Sequence, residues 1–461
     1  MRRRSEPRRL LEEPRRFLSQ DQCEALAQRA MRFATGGGDT ALYIDTWWSG
    51  EMRWGRNRVT LGSDRRNNQL TIRRSIHEAA ASVRTNQIDD VSIQSAIQAA
   101  ERALAYHPTS PEDIKDPAVH FDYLSPAIWS DRTFALGASE RAAAARALIE
   151  PAEQAGMLSA GYIEVRGAGR ALIRSNGEPL YAPYTQAQCS MTVRDPQGTG
   201  SGWAGLSSYD WGRIDGAALA QRALQKCLAS RNPVGIEPGR YTVILEPQAV
   251  HDLVQYVVRN FDLRDIAEGG VHPFALRRDF SKLGLKVADS RVTISHDPMH
   301  PDLGVVPFTP SGEPVRPVTW IDHGVLTTLA YNREYALTKL YDNLGYPNTL
   351  SYQMSGGETS VEEMIATTKR GLLVTRFSNV SYVDPVSLLL TGVTRDGLWL
   401  IENGKISKAV KNLRFTESPL FVLNSIEQLG RPERVFSPGV PAIVPPLKVK
   451  DFSFTALIDA I

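Results

Sequence analysis

Residues 394–405 read Thr-Arg-Asp-Gly-Leu-Trp-Leu-Ile-Glu-Asn-Gly-Lys. The apolar run Leu398 to Ile401 stops at Glu402-Asn403-Gly404, and Asn-Gly supplies the two positive-φ residues that a tight β-hairpin demands. Asp322-His323-Gly324 repeats the signal between two other hydrophobic segments. From Lys286 onward, short β runs alternate with Gly, Pro and Asn turns, which predicts a mostly antiparallel β domain with few helices. Just upstream, Tyr241 to Leu245 reads as a strand and Ala249 to Asn260 as the one helix of this region.

The N-terminal half has a different texture. Leu18 to Arg32 carries Leu18, Cys23, Leu26 and Ala30 near one face, so a helix is expected there, ended by Gly36-Gly37-Gly38. Thr40 to Trp48 and Asn68 to Val83 alternate as strands do. Ile93, Ile97, Ala100 and Leu104 recur at helical spacing behind Asp89-Asp90. The proline-rich stretch 107–125 reads as a surface connection, and an Ala-rich helix from Ser139 to about Gly156 is expected to break at Pro151. Residues 161–206 resemble an antiparallel meander with turns at Gly167-Ala168-Gly169, Asn176-Gly177 and Asp195 to Gly200. Asp215 then caps a helix whose apolar side includes Leu219, Ala223, Leu224 and Cys227.

The fold expected is therefore α+β: a basic tail at 1–17, an N-terminal α/β domain at 18–237 with a mostly antiparallel sheet, and a C-terminal β-rich, barrel-like domain at 238–461. The chain has 461 residues and, at roughly 150 per domain, room for two or three folding units. Hydrophobic residues make up 42% and charged residues 23%, which excludes a disordered or fibrous chain. No apolar run approaches the ~20 residues of a membrane helix.

Lysine and arginine exceed the acids by 53 − 51 = +2. Seven arginines against three glutamates fall in residues 1–16, so the rest of the chain sums to about −2 and offers no phosphate-tracking surface. Neither nucleic acid nor a membrane is expected as a partner. Three scattered cysteines and the lack of an apolar leader after the arginines point to the cytoplasm.

Generic motifs decide little. His296 and His300 have the i, i+4 interval of a zinc pair, but Pro298 lies between them. His77-Glu78 has no following histidine before His107, and His272 and His323 read as surface loop residues. Gly198 to Trp203 fits neither a dinucleotide loop nor a nucleophile elbow, and Gly404-Lys405 lacks the upstream glycine of a phosphate loop.

Several stretches taken together are more specific: Asp297-Pro298, Pro307-Phe308, Gly312, Ile321 to Leu326, Gly356 to Met364, and Thr394 to Lys405. With Glu237 to Ala249, they resemble the TldD/PmbA proteins, also called modulators of DNA gyrase. That resemblance implies a zinc peptidase acting on peptides in an enclosed cavity, built as a dimer of two related chains. The active type carries His-Glu-x-x-x-His on the helix after the Tyr241–Pro247 segment, plus a cysteine ligand near the C-terminus.

This chain departs from that pattern. The two histidines fall on Gln255 and Asn260 and the glutamate on Tyr256, and no cysteine follows Cys227. Amides are poor zinc ligands, and a phenol of pKa ~10 is a poor base. A register slipped by four would make His251 a ligand, Asp252 the base and Tyr256 the second ligand. The resemblance therefore implies the PmbA-like (TldE) subunit: no metal and no catalytic residue of its own, zinc in a His-Glu-x-x-x-His partner, and a peptide bound near Tyr256 and Arg259. The alternatives are an autonomous hydrolase using some of His251, His272, His296 and His300, or a peptide-binding homodimer without catalysis.

Overall fold

The computed structural model describes residues 17–76, 79–104, 106, 121–277, 280–340 and 345–458. The basic tail, His77-Glu78 and most of the 107–125 connection lie outside them. The chain divides into two compact units, one of residues 1–49, 65–119 and 167–183, the other of residues 50–64, 120–166 and 184–461. The architecture is α+β with an antiparallel N-terminal sheet and a barrel in the C-terminal part.

The N-terminal sheet has six strands, ordered Ala79–Thr85, Arg58–Ile76, Asp39–Gly55, Leu158–Arg174, Leu180–Arg194, Ser201–Ser208. In the first unit, helices Gln20–Met31 and Asp90–Leu104 bury Leu26, Ala30, Ile93 and Ile97 against Leu42, Ile44, Leu70 and Ile72 of the sheet. Ser19 and Gln22 form a reciprocal capping box that fixes where the first helix starts.

Three sequence expectations are corrected. The strands around Thr40 and Asn68 extend to 17 and 19 residues. Gly167-Ala168-Gly169 makes no turn, because Leu158–Arg174 is one continuous strand. A Cβ on Gly169 would lie 2.6 Å from Tyr181 Oη, so this glycine serves close packing. The helix Ala138–Gln154 runs through Pro151, which sits in its last turn and removes one backbone donor there without breaking the helix.

In the second unit, five strands close on themselves: Arg370–Asp384, Gly239–Leu245, Leu447–Leu457, Leu413–Glu417 and Leu389–Glu402, with the last pairing back to the first. All junctions are antiparallel except Gly239–Leu245 with Arg370–Asp384. Closure removes the unpaired edges of an open sheet. Phe377, Phe415, Phe452 and Phe454 form a ring cluster, with Phe377 and Phe415 centroids 4.5 Å apart.

A second six-stranded sheet, ordered Val325–Leu326, Val318–Asp322, Ile294–His296, Tyr352–Met354, Ala442–Val444, Glu433–Arg434, shares this core. Both hairpin signals act as expected. His323 and Gly324 have φ of 47° and 82°, and Asn403 and Gly404 have 52° and 79°. Among the described residues, no helix is long and apolar enough to cross a membrane.

Candidate functional site

The helix Pro247–Arg259 follows the barrel strand Gly239–Leu245 directly. Glu246 is extended at its N-cap, Pro247 supplies a preset φ, and Arg259 in the last turn complements the helix dipole. Val250, Leu253, Val254, Val257 and Val258 are buried, which leaves Gln248, Asp252, Gln255, Tyr256 and Arg259 as the polar stripe.

That stripe is used as a fastener. Strand Gly239–Leu245 pairs with Arg370–Asp384 only as far as Val374. Beyond it, the helix takes over the strand's backbone groups. Glu246 N–H donates to Val374 O (3.0 Å), Asp252 Oδ2 accepts from Phe377 N–H (2.8 Å), and Tyr256 Oη donates to Val380 O (2.7 Å). Asp252 also accepts from Gln248 Nε2 at 3.0 Å, and Gln248 Oε1 accepts from Phe436 N–H. Part of Asp252 remains solvent-exposed, yet desolvation outweighs these hydrogen bonds and pushes its carboxyl up to about 6.

The sequence-derived site residues gather at the C-terminal end of this helix. Tyr256 packs edge-to-face on Tyr382, with centroids 5.2 Å apart, and burial raises its phenol. Asn260 Nδ2 donates to Tyr256 O at 2.6 Å and to Tyr382 Oη at 3.1 Å. Arg259 is exposed and donates to Gln255 Oε1 at 3.3 Å. Gln255, Tyr256, Arg259 and Asn260 therefore share one surface.

His251 points the other way, into the core. Its Nδ1 lies 2.9 Å from Tyr352 Oη, the two rings stack, and burial, aided by Arg259, pushes the imidazole down to about 4. The slipped register is not assembled, since His251, Asp252 and Tyr256 are directed at Tyr352, Phe377 and Val380 respectively.

The other histidines are dispersed. His272 is buried, contrary to the surface position expected, because its Nδ1 accepts from Phe274 N–H and its ring packs on Phe274. His296 lies in a buried strand, and His300 Nδ1 accepts from Asp302 N–H. Among the described residues, no three His, Cys, Asp or Glu side chains are grouped to hold a metal. Gln255 and Asn260, which stand at the two histidine positions, do not fit the ion because both are amides, and Tyr256 at the glutamate position is a phenol hydrogen-bonded to Val380 O. The thiols fit no better, for burial pushes Cys23 and Cys189 up to about 12 and Cys227 up to about 11.

Residues 238–456 match the PmbA/TldA metallopeptidase C-terminal domain. The chain carries the C-terminal domain of the PmbA/TldD family. Within these residues the structure gives two of the sequence motifs a physical reason. Ser360 and Glu363 form a capping box that opens helix Val361–Ala366. A Cβ on Gly356 would lie 2.4 Å from Gly430 O, and one on Gly357 2.6 Å from Leu429 O.

Three solved structures share the fold of nearly the whole chain. A protein described as a modulator of DNA gyrase from Thermotoga maritima has a TM-score of 0.83 at 17% identity, covering 94% of this chain and 100% of its own. TldE from Thermococcus kodakarensis gives 0.80 at 17%, covering 94% and 100%. A second protein described as a modulator of DNA gyrase, from Bacteroides thetaiotaomicron, gives 0.81 at 18%, covering 95% and 99%. No curated protein matches the chain.

Sequence reading missed the fastening role of the polar stripe. The signal was present: Gln248, Asp252 and Tyr256 recur at i, i+4 along one side of the helix. The partners could not be read, because Phe377 and Val380 contribute backbone atoms, which carry no residue signature.

Proposed function

We propose that this chain is the non-catalytic, PmbA-like (TldE-type) subunit of a two-chain cytoplasmic zinc metallopeptidase. It lends scaffold and peptide-binding surface to a relative that bears His-Glu-x-x-x-His. One observation carries the reading: on the helix where an active-type chain would grip zinc, Tyr256 and Asn260 are engaged in holding the helix end to Val380 and Tyr382. Arg259 is exposed there and suits a peptide carboxylate, while Tyr256 offers a ring face, its hydroxyl being engaged on Val380 O.

The test is co-expression with an active-type relative, followed by separation of the chains, zinc analysis and a peptide digest by each. The isolated chain is expected to hold no stoichiometric zinc and to support hydrolysis only when mixed. Chelator-sensitive hydrolysis by the isolated chain refutes the reading.

A further inference from the structure

A cleft of about 600 Å³ opens in the second unit beside strand Val318–Asp322, and no residue of the Pro247–Arg259 helix is in its lining. Its volume falls within the ~300–1,000 Å³ of ordinary ligand sites. Leu263, Leu283 and Leu329 supply aliphatic wall. Tyr331 and Tyr346, packed edge-to-face at 5.7 Å, supply aromatic wall. Among the described residues of the lining, the charged one is Asp322, held at the start of the Asp322-His323-Gly324 turn with its side chain half exposed. Its Oδ1 lies 2.8 Å from Nδ1 of the far more exposed His323. Thr319, Thr327 and Thr328 line the same cleft, the Thr327 hydroxyl donating to Thr319 O at 2.9 Å.

Arg316 stands against the aromatic wall. Its guanidinium lies 4.5 Å from the Tyr346 ring centroid and donates to Gly345 O, which steadies that ring, but Arg316 is not part of the lining. The cleft therefore combines aliphatic and aromatic walls with one half-exposed carboxylate. An ammonium on an alkyl stem matches this lining: the stem lies on the leucines and the charge meets the Asp322 carboxylate. We propose that this cleft binds an alkylammonium group, borne either by a lysine side chain on an extended peptide or by a free aliphatic amine. This does not depend on the presence of a zinc-bearing partner.

The test uses the full chain and titration calorimetry at low salt. The probes are the capped pentapeptide Ac-Ala-Ala-Lys-Ala-Ala-NH2, its norleucine counterpart, which keeps the stem and lacks the charge, and n-pentylamine. The lysine peptide is expected to bind about tenfold or more tightly than the norleucine peptide. Pentylamine binding as tightly as the lysine peptide assigns the site to free amines, and weaker binding assigns it to peptide-borne lysine. Asp322→Asn is expected to abolish the preference for lysine, whereas His323→Ala keeps it, because the carboxylate and not the turn makes the choice. Equal affinity for lysine and norleucine, a preference that survives Asp322→Asn or is lost in His323→Ala, or no binding of either ammonium probe at millimolar concentration overturns the proposal.

Discussion

Acidification should loosen the C-terminal core, and a single substitution should remove most of the effect. His251 and His296 are both buried, and desolvation pushes each imidazole down to about 4 from an ordinary 6.5. Among the described residues, neither ring nitrogen of His296 has a hydrogen-bond partner. A histidine neutral in the fold and charged when unfolded contributes fully above pH 6.5, and its contribution falls as the pH drops toward 4. Between pH 7 and 5 this costs about 2 kcal/mol per histidine, or ~4 kcal/mol together.

Asp252 acts in the opposite sense. Its folded pKa of about 6 lies above its ordinary 3.8, so its contribution is fully present below 3.8 and is lost as the pH rises through 6. Acidification from 7 to 5 returns roughly 1 kcal/mol, leaving a net loss of about 2–3 kcal/mol, a large share of the ~5–15 kcal/mol that holds a typical domain. Urea unfolding at pH 7 and pH 5 measures it. His296→Leu, close in volume and without a titrating group, should shrink the loss to under ~1 kcal/mol and raise stability at both values. An unchanged loss in His296→Leu would refute the reasoning.

Tyr256→Phe removes the hydrogen bond to Val380 O and is expected to cost about 1 kcal/mol, seen as faster hydrogen exchange in residues 376–384 with little change in the rest of the barrel. Asp396→Asn should be far more damaging. Asp396 is buried at positive φ, accepts from Arg376 Nε at 2.8 Å and from Arg376 Nη2, and takes the Ser201 hydroxyl at 2.5 Å. Neutralising it leaves Arg376 without its anion at a cost of about 3–5 kcal/mol, read as a lowered thermal midpoint. Asp396→Asn with Arg376→Met together should recover part of that cost.

The β architecture was legible because it rests on local rules. Asn403-Gly404 and His323-Gly324 occupy the positive-φ positions their order in the chain implied, and Ser19, Asp215 and Ser360 cap the helices they precede. A barrel-like domain was expected, but which distant strands close it could not be read. Closure of the barrel depends on Gly239–Leu245 finding both Arg370–Asp384 and Leu447–Leu457, more than a hundred residues away. Gly169 looked like a turn residue and proved to be a packing residue under Tyr181, because a glycine signals freedom of φ and absence of a side chain alike. At the candidate site, the identities of Gln255, Tyr256 and Asn260 were legible, but their hydrogen-bond partners were not.

The fastened end of the Pro247–Arg259 helix has a consequence for how this chain could change. Writing His-Glu-x-x-x-His back into positions 255–260 would delete the phenol that holds Val380 and the amide that holds Tyr382. Restoring a grip on a cation would therefore cast the tip of the neighbouring hairpin loose. One helical surface cannot clamp the hairpin and cradle an ion with the same positions, so on this helix the two roles exclude each other.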